Sequence, residues 1–169
     1  MVAGLWGGML SCRFLAVPLL LLLSSVPALA ADDQLPYWAS LREKSVNMRV
    51  GPGEDYRINW RYRRQHLPMK VLRTMDGWRL VQDPDGARGW MLARFLKRER
   101  GAIVQSRKGG PRALAPMLAK PEAGAKLLWR LEPGVTGKLG DCADGWCRFD
   151  VEGQAGYVRQ AQIWGPGEP

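Results

Sequence analysis

The triplet Asp-Gly-Trp occurs twice, as Asp76-Gly77-Trp78 and Asp144-Gly145-Trp146, and each copy leads through a second turn to Gly89-Trp90 or Gly156-Tyr157. An Asp-Gly pair between strand-forming runs is the turn of a tight hairpin, because both residues tolerate the positive φ angles it demands. The hairpin belongs to a longer repeat: Met48, Pro52 and Trp60 recur sixty-nine positions on as Met117, Pro121 and Trp129. Small changes of offset farther along fall where loops belong. Each unit reads as a strand, a long irregular loop, a middle strand after Pro68 or Pro133, and the Asp-Gly turn. A strand opened by Trp follows, then a second turn (Asp83-Pro84-Asp85-Gly86 or Glu152-Gly153) and a strand entered by Gly-Trp or Gly-Tyr. Five short strands at this spacing predict a small closed barrel, so the chain is expected to be all-β with two such barrels in tandem.

Ahead of the repeat, residues 1–30 read as a cleaved signal peptide. Arg13 is the only charge, an apolar run extends from Phe14 to Leu23, and Ala28-Leu29-Ala30 forms a small-residue cleavage site. About ten apolar residues are too few for a membrane span, which needs roughly 20. Cys12 precedes the apolar run, which argues against a lipoprotein anchor, and Met9 offers an alternative start to Met1. Cleavage after Ala30 leaves 139 residues. That length suits two very small domains, expected at 36–100 and 112–165 with a linker at 101–111, although Ala102-Ile103-Val104 has the composition of a further strand. Barrels of this size bury little core each, which favours packing together.

Charge divides the repeat. Residues 42–100 hold 15 Lys/Arg against 7 Asp/Glu, whereas 101–169 hold 9 against 7. A chain this basic would suit nucleic acid in the cytoplasm. Export instead points to anionic wall or envelope material, in the periplasm or outside the cell, with no nucleic acid and no stable membrane anchor. The plainer alternative is that the arginines merely solvate strand faces.

Removal of the first thirty residues leaves Cys142 and Cys147 flanking the second Asp-Gly turn. An exported chain with two cysteines across a hairpin is expected to close a disulfide. A thioredoxin-like redox pair wants C-x-x-C beside a βαβ unit, and this sequence has neither. Alternation from Trp146 puts Trp146, Arg148 and Asp150 on one face and Cys147, Phe149 and Val151 on the other, so Trp146 is expected on the wet face. Trp78 is assigned to the outer face by analogy.

The run Val46-Asn47-Met48-Arg49-Val50-Gly51-Pro52-Gly53-Glu54-Asp55-Tyr56 resembles the N-x-R-x-G-P-G/S-x-x-Y signature of bacterial SH3 (SH3b) domains. Gly77-Trp78-Arg79-Leu80-Val81 followed by Gly89-Trp90-Met91 resembles their paired G-W hairpin, and Trp164-Gly165 resembles the close of exported two-repeat members. The resemblance implies two tandem SH3-like barrels acting as a binding module for cell-wall peptides. The second unit departs from the pattern, with Lys120-Pro121-Glu122 for Gly51-Pro52-Gly53, Ala125 for Tyr56 and Tyr157 for Trp90. The first unit is therefore the expected binder and the second its support.

Aromatic rings on a wet face form a platform for a sugar or an extended peptide, and nearby arginines pair with carboxylates. The platform is assigned to Tyr56, Trp60, Trp78 and Trp90, with Arg49, Arg79 and Arg88 beside it; Trp60 and Trp90 are the two a core would most readily recruit. Peptidoglycan offers sugar faces and stem-peptide carboxylates together. A second reading gives the same groove to a periplasmic protein or peptide, making the chain an adaptor for a partner enzyme. A third, electrostatic contact with anionic envelope lipid, predicts steep loss of binding with salt. Catalysis is not expected. The single histidine, His66, has no nucleophile partner, there is no G-x-S-x-G elbow, and no His/Cys/Asp spacing suits a metal, so no metal or cofactor is anticipated.

Overall fold

The computed structural model describes residues 34–105 and 114–169, which form two seven-stranded antiparallel sheets, one for each copy of the repeat. The first contains β1 (Tyr37–Leu41), β2 (Val46–Arg49), β3 (Ile58–Tyr62), β4 (Pro68–Met75), β5 (Trp78–Gln82), β6 (Arg88–Leu92) and β7 (Leu96–Lys97). The second contains β8 (Gly101–Val104), β9 (Ala115–Leu118), β10 (Leu127–Leu131), β11 (Thr136–Ala143), β12 (Trp146–Val151), β13 (Gln154–Arg159) and β14 (Ile163–Trp164). The orders, β3-β2-β6-β5-β4-β1-β7 and β10-β9-β13-β12-β11-β8-β14, correspond strand for strand. Two tandem all-β barrels are therefore observed, each with two more strands than the five expected. The signal peptide, its cleavage point at Ala30 and the choice of Met1 or Met9 lie outside the described residues.

The linker expected at 101–111 is corrected at its start. Gly101–Val104 is β8, the counterpart of β1, and it pairs with β11 and β14. Its alternating Ala102 and Val104 are buried in the second core, which explains why these residues join the sheet. Residues 106–111 of that linker lie outside the described set.

Period-two alternation builds both cores. Val46, Met48, Met69, Val71, Val81 and Met91 face inward in the first, and Met117, Leu139, Cys147, Phe149 and Val158 in the second. The glycine near the start of each last long strand follows from this packing. A Cβ on Gly89 would lie 2.6 Å from Met48 Cγ and 2.7 Å from the Arg49 carbonyl; one on Gly156 would lie 2.6 Å from Met117 Cγ and 2.9 Å from the Leu118 carbonyl. No side chain fits at either crossing, so Met and Gly recur together.

The second Asp-Gly turn has φ of 52° at Asp144 and 77° at Gly145, the left-handed pair of a two-residue hairpin loop. Cys142 and Cys147 stand directly opposite across it and form the expected disulfide. In the first barrel the turn after β5 is organised by Asp83. Its Oδ1 accepts from the Asp85 and Ala87 amides at 3.0 and 2.8 Å, and its Oδ2 from the Tyr62 hydroxyl at 2.8 Å. Burial and this carboxylate push the Tyr62 phenol far above its usual titration range.

Only Arg98, Glu99 and Arg100 separate β7 from β8, and the two barrels meet along that crossing. Ser40 Oγ donates to the Glu99 carbonyl at 2.6 Å, Thr136 Oγ1 to the Gln65 carbonyl at 3.0 Å, and Arg64 to the Gly134 carbonyl. A Cβ on Gly101 would lie 3.0 Å from Ser40 Cβ. Ile103 of β8 packs on the first core. At the other end of the seam the Trp38 and Trp164 rings meet edge to face, 4.6 Å between centroids, and the Trp38 indole N–H donates to the Gly167 carbonyl at 3.0 Å.

Candidate functional site

The loop between β2 and β3 is shaped around one ring. A Cβ on Gly51 would collide with the Tyr56 ring, and one on Gly53 would lie 3.1 Å from Tyr56 Cδ2, so the two glycines form the bed on which the tyrosine lies. The loop closes with the Val50 amide donating to the Arg57 carbonyl at 3.1 Å and the Gly53 amide to the Gly51 carbonyl at 3.1 Å. The second barrel repeats this backbone, with Ala119 donating to Lys126 at 2.9 Å and Glu122 to Lys120 at 2.9 Å. There Ala125 replaces the tyrosine, and side chains return at Lys120 and Glu122. Ring and glycines are present together or absent together.

Cross-strand register sets the neighbours. Arg49 pairs with Trp90 on one side and Ile58 on the other; Trp90 pairs with Leu80, and Trp78 with Leu92 and Met75. Gly89 and Met91 alternate inward, so Trp90 and Arg88 point outward, on the face shared by Arg49, Leu80 and Trp78. Arg49 Nη1 donates to the Tyr56 carbonyl at 2.7 Å, tying the loop to this face, and Arg88 Nε donates to Gln82 Oε1 at 3.1 Å. Tyr56 is 49% exposed. The structure thus places Arg49, Trp78, Trp90 and Arg88 on one strand face, with the Tyr56 loop tied to it through Arg49.

Two assigned residues fall elsewhere. Trp60 pairs with Met48 and so projects from the opposite side of edge strand β3, where it is 55% exposed. Arg79 has the other parity from Trp78 and Leu80. It turns back to donate to the Tyr37 hydroxyl at 3.2 Å and to the Asp76 and Trp78 carbonyls at 3.0 and 2.9 Å. Trp90, though on the outer face, is only 9% exposed, so it floors the platform and offers little ring surface to a ligand.

The reading of Trp146 as solvent-facing is also corrected. Its strand parity is as expected, with Cys147 and Phe149 fully buried on the other side, but Trp146 is only 6% exposed. Arg159 pairs with it across β13, and the guanidinium lies 4.0 Å from the indole centroid. Cation–π stacking covers a ring that parity alone leaves outside.

His66 sits at the seam, its Nδ1 3.1 Å from Lys97 Nζ, with burial and then Lys97 lowering its pKa. Trp38 escaped the sequence reading, because it precedes the repeat and its partner Trp164 is distant in sequence. Among the described residues no group of three His, Cys, Asp or Glu could hold a metal ion.

Two small seven-stranded β-barrels with the same strand order, each built around an Asp-Gly-Trp hairpin, define the class of tandem SH3-like domains. The sequence matches the family described as "Bacterial SH3 domain" over residues 42–97 and again over 112–165, well over half of the chain, and the chain belongs to that family. No curated protein matches. Among solved structures, the chain is similar to NlpC2 from Trichomonas vaginalis, at 14% identity and a TM-score of 0.34, covering 79% of this chain and 49% of that one. NlpC1 from the same organism gives 15% identity and a TM-score of 0.33, with 81% and 48% covered. An NlpC/P60 family protein from Bacillus cereus ATCC 10987 gives 11% and 0.34, with 76% and 56% covered. The chain therefore spans about half the length of these proteins, and likeness at this level says nothing of activity. The family suggests a cell-wall-binding module, and together with the disulfide it suggests a place outside the cytoplasm.

Proposed function

We propose that this is a non-catalytic envelope protein that recognises cell-wall peptide or glycan through the outer face of its first barrel. The observation that carries this is the Tyr56 ring bedded on Gly51 and Gly53 and tied through Arg49 to the strand face bearing Trp78 and Trp90. A half-exposed ring on a preformed loop gives a ligand apolar area without ordering cost on binding. Arg49 and Arg88 supply charge for stem-peptide carboxylates. The second barrel keeps the same loop backbone without the ring, which fits a supporting role.

Trp78→Ala tests the reading. Loss of the indole is expected to weaken co-sedimentation with purified sacculi about tenfold, equivalent to ~1.4 kcal/mol, with the melting temperature little changed. Unchanged sedimentation counts against this face. Release of soluble fragments from the sacculi would show the protein to be a hydrolase instead.

A further inference from the structure

Two strands from Arg88 along the first barrel's outer surface, a cleft of about 680 Å³ opens at the seam, lined by Trp38 and Lys70 from the first barrel and by Arg159, Trp164 and Glu168 from the second. Register places Lys70 directly opposite Trp38, with the ammonium 5.6 Å from the indole centroid. Arg159 faces it from the other barrel, backed by Trp146. Neither cation has a carboxylate partner among the described residues, and Glu168 is the one acidic group in the lining. The cleft thus combines two indoles held edge to face with two cations drawn from separate barrels.

The neighbouring backbone is already engaged. Arg100 Nη2 donates to the Gly165 and Gly167 carbonyls at 2.6 and 2.9 Å, the Trp38 N–H also takes Gly167, and the Gln160 amide takes the Gly145 carbonyl at 2.9 Å. Strand addition by an extended peptide needs free backbone groups, and the Gly145, Gly165 and Gly167 carbonyls are taken. What remains is apolar ring surface and positive charge, which suits sugar rings that carry carboxylates. The volume falls within the range of small-ligand sites, roughly 300–1,000 Å³.

We infer that the seam between the barrels is a second binding site, for a glycan bearing carboxylates, held by Lys70 and Arg159 over the Trp38–Trp164 corner. The site stands independently of the Tyr56 face. It exists only when both barrels are docked, so it gives their fixed packing a function.

Isothermal titration of the whole protein tests it with two peptide-free tetrasaccharides: one of alternating N-acetylglucosamine and N-acetylmuramic acid, the other of uronic acids. Each is also titrated as its methyl ester. At least one acid form is expected to bind, and its ester at least tenfold more weakly. The Lys70→Gln/Arg159→Gln double variant should lose at least tenfold, while Trp78→Ala stays within twofold. Binding of the muramyl probe identifies wall sugar as the source, and binding of the uronic probe alone an acidic exopolysaccharide. The inference is overturned if neither acid binds, if ester and acid bind the wild type alike, or if the double variant binds as wild type does. Sacculus sedimentation of Trp78→Ala is also measured in the Lys70→Gln/Arg159→Gln background, where the seam does not contribute, so either site can fail alone.

Discussion

Tyr56 shows how one side chain dictates its neighbours. Its ring fills the space a Cβ would need at Gly51, so Gly51→Ala must either displace the ring or distort the loop. We expect Gly51→Ala to lose sacculus binding about as fully as Tyr56→Ala, and to cost ~1–3 kcal/mol of stability as an overpacking change. A chemical melt together with sedimentation checks both. Asp83 makes the parallel case for structure. At 5% exposure it satisfies two amides and the Tyr62 hydroxyl, and Asp83→Ala leaves those donors unmatched. The expected loss is ~2–3 kcal/mol in urea unfolding, accompanied by a fall in the Tyr62 pKa toward its ordinary value. The Gly-Pro-Gly and Tyr56 pattern was legible in the sequence because its cause is local. The burial of Trp90 and the stacking of Arg159 on Trp146 were not, because strand parity fixes the face a ring points from and says nothing of what lies over it.

Among elements, the β11–β12 hairpin carries the disulfide and the β5–β6 hairpin carries the aromatic face. Cys142 and Cys147 close a short loop, so the chain-entropy gain is only about 2 kcal/mol. Reduction is therefore expected to lower the melting temperature by roughly 4–8 °C while sacculus binding persists, since the bridge lies in the other barrel. Loss of binding on reduction would contradict that division of roles. The hairpins, the turns and the correspondence of the two units could be read from Asp-Gly spacing and alternation. Strand β8 was harder to place, because four residues give too little periodicity to choose between linker and strand. Its membership is decided by pairing with β11 and β14, contacts remote in sequence. Trp60 was misplaced for a related reason: the register shift between Met48 and Arg49 puts Ile58, and not Trp60, beside Arg49.

At the scale of the whole molecule, a three-residue crossing and a shared seam make the two barrels one body. Calorimetry is expected to give a single unfolding transition, and two resolved transitions would contradict the seam. Acid should weaken it. His66 has its pKa lowered by burial and by Lys97, with Lys138 acting the same way and Glu99 and Asp150 opposing. A base with a depressed folded-state pKa binds protons more readily when unfolded. Stability is therefore unaffected above the ordinary histidine value, about 6.5, and falls as pH drops below it. His66→Gln should flatten that part of the pH profile. The seam was not legible in the sequence, since Trp38 and Trp164 carry no mutual signal in a single chain. The basic charge of the first unit was legible, and it is on that unit's outer face that the proposed recognition rests. The most direct measurement is an amide NMR titration of the isotopically labelled protein with a soluble muropeptide. The account predicts shifts at residues 49–57, Trp78 and Arg88, with the matching positions 118–126 and Tyr157 still, while shifts at Trp38, Lys70, Arg159 and Trp164 report the seam separately. Equal shifts at 49–57 and 118–126, or none at 49–57, would contradict it.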